Sequence, residues 1–522
     1  MKKRLIAGLL CAAMMLSLVA CGGGGGSTSG GSDKPDSSGG GASSTVTKDT
    51  ITFANKAEPS NLATTGNNEI AAYYLSFMIY SGLFKRSAEG IEKDLCTEYY
   101  TEKDANGVES IWVFKLRDGV KFHDGSALTA DDVVDTLTFA HEQTAVAALT
   151  GFYTKVEKVD DLTVKLYTDG VYATVPKALA DKACYILPSE LIASGHDFGN
   201  NPIGCGPYKF VEWKKGDSVQ LVAFEDYYDG VPAIKNVNWR FIAEGTSRTV
   251  ALESGEVDYV MDVASVDIPR LEDDDRFTVS ITNGSMFSYF LMNTTKEPFN
   301  DINFRKFMAA AINREDGLAV AMDGFGTPIT ACININIDGS SDKNAQGTDP
   351  DAAKKYLAAW GGDPTQLKFK LYATSDERRR FTEVIQSNLL EYGIQSDIEM
   401  IESATGSSVA RSGEYDAFVF AYTTDDFATY AKNLYYVSDE AHAGNKFRMN
   451  YDDSLNSMID EINSITDDAA RAAKITEFTE ALNAKQPVVP LYCSQVLTAY
   501  NKDLKGVEID FMGYFRVEDF AW

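Results

Sequence analysis

Residues Gly22 to about Thr47 are almost entirely Gly, Ser and Thr, interrupted by Asp33, Lys34, Pro35 and Asp36. Such a stretch has too little apolar surface to offset the conformational entropy lost on folding, so it behaves as a flexible coil. A coil of this kind spans roughly 5–6 Å times the square root of its length, a few nanometres in all. It divides the chain into a short leader and a long body, from about residue 48 to residue 522, that must fold by itself. A body of that length exceeds what one hydrophobic core organises, so two or three lobes are expected.

In the leader, Lys2, Lys3 and Arg4 form a positive n-region and Leu5 to Ala20 an apolar run. That run has the length of a secretory h-region and is short for a bilayer span. Leu18-Val19-Ala20-Cys21 resembles the lipobox of bacterial lipoproteins. The resemblance implies a lipoprotein signal peptide at 1–20, and a mature N-terminus at Cys21 carrying a diacylglyceryl thioether and palmitate-type acyl chains. Each buried methylene contributes roughly 0.8 kcal/mol, so two chains anchor where one does not. Residues 21–47 are then a disordered tether holding the body off the membrane.

The formal charge is −28, and more negative once the three leader cations are removed. So acidic a body disfavours nucleic acid and anionic lipid as partners. Of seven cysteines, Cys96, Cys184, Cys205, Cys332 and Cys493 remain once Cys11 leaves with the leader and Cys21 is acylated. That number is odd and no CxxC spacing exists, so no zinc site is expected and no disulfide can be assigned. GxGxxG, Walker, HExxH and GxSxG motifs are absent from the body, and none of the four histidines pairs with Ser or Cys at a catalytic spacing. His123-Asp124 reads as a polar turn. Asn334 to Gly339 resembles the start of a calcium loop, but its twelfth position is Ala345 where a bidentate Glu is required, so it reads as a loop. The expectation is a binding protein, with no enzymatic activity, cofactor or metal.

The element pattern is mixed. Trp112, Phe114 and Leu116 alternate on one strand face, and Asp118-Gly119 suits a hairpin turn returning through Val120 to Phe122. Thr129 and Asp132 form a capping-box pair at a helix start. Strands are read at 46–53, on both sides of Asp160-Asp161, at 219–224 and at 237–242. The second half is more helical. Phe304, Phe307, Met308, Ala311 and Ile312 follow the helical repeat, as do Phe381, Val384, Ile385, Leu389 and Tyr392. A further helix is bracketed by Asp349-Pro350 and Gly361. Ile394 to Ile401 and Pro487 to Tyr492 read as strands, and helix–strand alternation of this kind suits an α/β lobe.

Several segments together resemble the dipeptide/oligopeptide-binding family (family 5) of extracellular solute-binding proteins of ABC importers. They are Trp112 to Gly125 running into Leu128 to Val133, Pro202 to Phe210 with Cys205 where the family has Thr, Phe224 to Gly230, Ala251 to Asp258, Met292-Asn293-Thr294 with Pro298-Phe299, and Phe304-Arg305-Lys306. The resemblance runs from about residue 50 to 520. It implies a periplasmic-binding-protein-like α/β fold, with two large lobes joined by a hinge of two crossing segments and a small inserted α+β lobe. Lobe I would comprise 48–85, 195–283 and 490–522, the inserted lobe II 86–194, and lobe III 284–489.

The function implied is a lipid-anchored substrate-binding subunit that captures short peptides between closing lobes and delivers them to a membrane permease. It would act as a monomer on the extracellular face of a bacterial cytoplasmic membrane, a Gram-positive surface suiting the long tether. The same scaffold could carry a metal chelate, haem, opine or oligosaccharide. By the family pattern, Tyr422-Thr423-Thr424-Asp425-Asp426-Phe427 supplies the carboxylate for the ligand ammonium, with Asp425 matching by its distance from Tyr422 and Asp426 as the second candidate. The family's Trp and Tyr are here Tyr422 and Asp426. Arg379 and Arg380 match the arginine pair that takes the ligand carboxylate. Tyr73, Phe287 and Tyr289 are candidate aromatic cleft residues, though core packing suits each equally well.

Overall fold

In a computed structural model, which describes residues 48–423, 426–437 and 453–522, the capped helices form as their sequences dictate. Asp349 accepts from the amides of Asp351 and Ala352 to open helix Pro350–Trp360, which ends at Gly361 with φ +77°. Asp301 opens helix Ile302–Ala311 and Ser375 opens helix Asp376–Leu390, each accepting amides of the first turn. Asp132 accepts from the Thr129 amide at 2.8 Å, the capping box that starts helix Ala130–His141.

The strands assemble into an eleven-stranded mixed sheet. Its centre is a pair of long antiparallel strands, Phe277–Met292 and Val488–Asn501. Beyond one lie Ala417–Thr423, Lys368–Ala373 and Gln395–Met400; beyond the other lie Tyr259–Met261, Thr50–Asn55, Asn236–Phe241, Ser218–Ala223 and Tyr208–Lys214, and the short Thr327–Pro328 pairs with Val488–Asn501 off this path. Lys368–Ala373 runs parallel to both its neighbours, a pairing that requires helical crossovers. One such crossover is Asp376–Leu390.

The long strands slip register between Asn283 and Phe287. There a Cβ on Gly284 would lie 2.9 Å from the Ser494 carbonyl oxygen, so only glycine permits this approach. The bulged carbonyls of Gly284 and Ser285 accept from the side-chain amides of Asn336 and Asn334, at 2.8 and 2.7 Å. The segment with a partial calcium-loop pattern is therefore a brace on the bulge. Among the described residues, no group of three or more candidate metal ligands exists.

A separate four-stranded antiparallel sheet orders Cys96–Lys103, Glu109–Leu116, Thr163–Thr168 and Tyr153–Asp160. Trp112, Phe114 and Leu116 are buried and Gly119 turns the chain at φ +76°. The predicted return strand Val120 to Phe122 is a correction: it makes only an isolated bridge, Lys121 to Ala127. Both edges of Glu109–Leu116 are already occupied, so the return segment has no edge to pair with.

His123 joins two of the segments on which the family resemblance rests. Its Nε2 lies 3.0 Å from the Gly206 carbonyl and donates to it, while Nδ1 accepts from the Gly204 amide at 3.4 Å. Burial depresses its pKa to about 4, the Lys209 charge adding and the Gly206 hydrogen bond and Asp124 carboxylate opposing.

Separate hydrophobic cores form around Phe53, Trp239 and Phe515, around Phe114 and Leu166, and around clusters of residues 286–493. All five body cysteines are buried free thiols. No helix among the described residues is long and apolar enough to cross a membrane.

Candidate functional site

A cleft of about 530 Å³ opens between the segment after strand Thr163–Thr168 and a group of helices from the second half of the chain. That volume falls within the roughly 300–1,000 Å³ usual for small-molecule sites. On one side, Tyr172 stacks on Phe152 with ring centroids 5.6 Å apart, ahead of the short Pro-led helix Val175–Leu179 that carries Lys177. On the other, helix Phe427–Leu434 buries Tyr430, Ala431 and Leu434 and turns Ala428 and Lys432 to the cleft, an i, i+4 pair. The Tyr430 and Tyr435 hydroxyls both donate to the Cys332 carbonyl, at 3.0 and 2.6 Å, fixing the helix to the core. Phe427 packs edge-on against Phe478 at 5.3 Å.

Charge of both signs lines the space. Asp169, Asp338, Asp426 and Asp460 supply carboxylates; Lys177, Lys432 and Arg471 supply cations. The Asp426 carboxylate acts on both nearby phenols. The Tyr172 hydroxyl is pushed up to about 12, by burial first and by the Asp426 charge second. Tyr422 is raised by burial, with Asp426 adding and a hydrogen bond from Asn433 opposing.

The predicted site residues are distributed unevenly. Asp426 lines the cleft, and Tyr422 stands at the end of strand Ala417–Thr423, its hydroxyl accepting from Asn433 at 2.8 Å. Asp425 lies outside the described residues, as does Cys21. Arg379 pairs with Asp376 and Glu383 of its own helix, and Arg380 donates to the Ala321 carbonyl at 2.8 Å. Tyr73 is buried: its hydroxyl donates to Asp181 at 2.9 Å and its ring stacks on Tyr514 at 5.5 Å. Phe287 and Tyr289 belong to the long strand Phe277–Met292 and are fully buried in the core. None of these five lines the cleft.

Tyr172, Phe427, Lys177 and Lys432 are cleft residues that sequence reasoning missed. A signal existed for one helix: Phe427, Tyr430, Ala431 and Leu434 fall at i, i+3, i+4 and i+7, leaving Lys432 off the apolar stripe. Nothing local marked Tyr172.

With this geometry established, comparison with known proteins defines the class. The model for "Bacterial extracellular solute-binding proteins, family 5 Middle" matches residues 90–444. The chain belongs to this family, and its role is that of an extracellular solute-binding protein of the ABC-importer type. The glutathione-binding protein GsiB of Pectobacterium atrosepticum is 27% identical over 345 residues, 64% of this chain and 66% of that protein. Among solved structures, HbpA2 of Haemophilus parasuis superimposes with a TM-score of 0.81 at 23% identity, covering 90% of this chain and 99% of that one. The periplasmic binding protein DppA of Helicobacter pylori, in complex with the peptide STSA, gives 0.72 at 21% identity, covering 90% and 98%. The α/β binding-protein fold is thereby established.

Proposed function

We propose that this protein captures short peptides in the cleft beside Asp426 and delivers them to a membrane permease, tethered to the cell surface by lipid on Cys21. One observation carries the reading: carboxylates, cations and the aromatic faces of Tyr172 and Phe427 line one cavity of about 530 Å³. A zwitterion with side chains needs that combination, since each charged end gains a charge-assisted bond of about 1.5–3 kcal/mol and the body gains apolar contact. The glutathione-binding relative and the peptide-bound structure support the same ligand class. In this reading, residues 86–194 form the inserted lobe, 284–489 the third lobe, and the remaining body segments lobe I. The cleft then lies between the inserted and third lobes, and the long strands Phe277–Met292 and Val488–Asn501 are the segments about which the lobes move.

The test is calorimetry of the purified protein against pooled free peptides of two to four residues. Binding at micromolar affinity or tighter is expected. Asp426→Asn, and separately Asp425→Asn, should identify the ammonium partner by a loss of tenfold or more in one of them. Absence of heat from every pool, in folded protein shown by mass spectrometry to be empty, would remove peptides as the ligand.

A further inference from the structure

Between helix Arg314–Met322 and the short strand Thr327–Pro328 the backbone takes an unusual path. Asp323 has φ +52°, Gly324 +86° and Gly326 +155°. Glycine adopts that half of the map freely, and Asp tolerates it better than most residues. The amides of Asp323 and Gly324 both donate to the Leu318 carbonyl, the second at 3.1 Å, which closes the helix end.

The turn places one aromatic side chain in a core that is not its own. Phe325 is half-buried and packs against a cluster containing Ala54, Val260, Val263, Leu271 and Ala499. Among the described residues of that cluster, Phe325 alone comes from 284–489; the others belong to the segments of lobe I. Both flanks of Phe325 are fastened to the same side. Asp323 accepts from the Ser265 hydroxyl at 2.6 Å. Thr327 donates to the Asn283 side-chain carbonyl and accepts from the Gln495 amide at 3.5 Å. Ser265, Asn283 and Gln495 all fall in lobe I.

We infer that residues 323–327 are a strap that holds the third lobe to lobe I beside the crossing strands and so keeps the two cleft walls together. The inserted lobe is continuous with lobe I on both its ends, so fixing the third lobe to lobe I also fixes it against the inserted lobe. Rotation about two strands that already slip register between Asn283 and Phe287 would have to draw Phe325 out of its core and break the Ser265–Asp323 contact. Seated and unseated straps are then two discrete states. This rests on the lobe division above and is independent of what the cleft binds.

The test is single-molecule energy transfer in the full-length protein without ligand. Dyes are attached through azido-phenylalanine at Asn106 and at Lys355, both exposed, one in the inserted lobe and one in the third. Wild type should show one dominant distance. Phe325→Ala should raise the ratio of a longer-distance population to that one by about tenfold or more, and Ser265→Ala by about threefold. Phe325→Leu, which keeps an apolar anchor, should restore the wild-type ratio. Leu271→Ala truncates the same core without touching the strap and should leave the ratio unchanged, although it lowers the thermal midpoint. Ratios within about twofold of wild type for both Phe325→Ala and Ser265→Ala would overturn the strap, as would a Leu271→Ala protein that opens as far as Phe325→Ala. If Phe325→Ala does not fold, Ser265→Ala decides by the same reading, because its contact is exposed.

Discussion

The joint around Arg314 and the cleft around Asp426 both concentrate polar side chains, yet they treat them in opposite ways. Arg314 is 2% exposed and donates to the carbonyls of Ile329, Pro490 and Ala309 at 3.0, 2.7 and 3.1 Å, and to the Thr348 hydroxyl at 3.0 Å. Burial pulls its pKa down to about 10, and the ring of acceptors compensates the desolvated charge. In the cleft, Asp338, Asp460 and Lys432 are exposed and Asp426 and Tyr172 half-buried. A charge enclosed by its own protein stabilises the fold and is closed to a solute. A charge left partly in water contributes little to the fold, and a ligand can still engage it.

The comparison can be broken at its strong end first. Arg314→Met should cost about 4 kcal/mol in urea denaturation, because several buried carbonyls lose their donor at once. A loss below about 1 kcal/mol would mean that the surroundings collapse or hydrate, and that the joint is not structural in the sense argued.

His123 comes next. Its folded pKa, about 4, lies below the ordinary 6.5, so above pH 6.5 the neutral ring is present in both states and the joint is at full strength. As pH falls below 6.5 the unfolded chain takes up a proton that the folded joint refuses, and stability drops until about pH 4. Between pH 7 and pH 5 this group should account for on the order of 2 kcal/mol. Denaturation curves at the two pH values should show that extra loss in wild type and not in His123→Gln. Equal losses would refute the neutral, Nε2-protonated assignment.

The smallest effect on stability belongs to the cleft. Tyr172→Ala removes one stacked pair, worth about 0.5–1.5 kcal/mol, so the denaturation midpoint should barely move. Peptide affinity should nevertheless fall by about tenfold, or 1.4 kcal/mol. A variant that loses stability and keeps affinity would place Tyr172 in the framework and dissolve the contrast.

Much of the framework could be read locally. Capping at Thr129 and Asp349 depends on side chains three or fewer residues from the amides they satisfy, so their spacing carried the prediction. The hairpin around Asp160-Asp161 appears as strands Tyr153–Asp160 and Thr163–Thr168. The Val120 to Phe122 return could not be read correctly, because whether an edge is free depends on Cys96–Lys103 and Thr163–Thr168. The same holds for Asn334 and Asn336, whose partners at Ser285 and Gly284 lie about fifty residues upstream.

By itself the sequence determined an α/β body and membership in a family of binding proteins, since helical and strand periodicity and ordered short motifs are properties of neighbouring residues. Only the tertiary structure decided which polar groups are consumed in joints and which remain available. Tyr172 and Asp426 are 254 positions apart in the chain and become neighbours across one cleft, whereas Arg314 is held by the Pro490 carbonyl, 176 positions further along. Side-chain commitment depends on distance through space and on access to water, and neither is encoded in residue spacing.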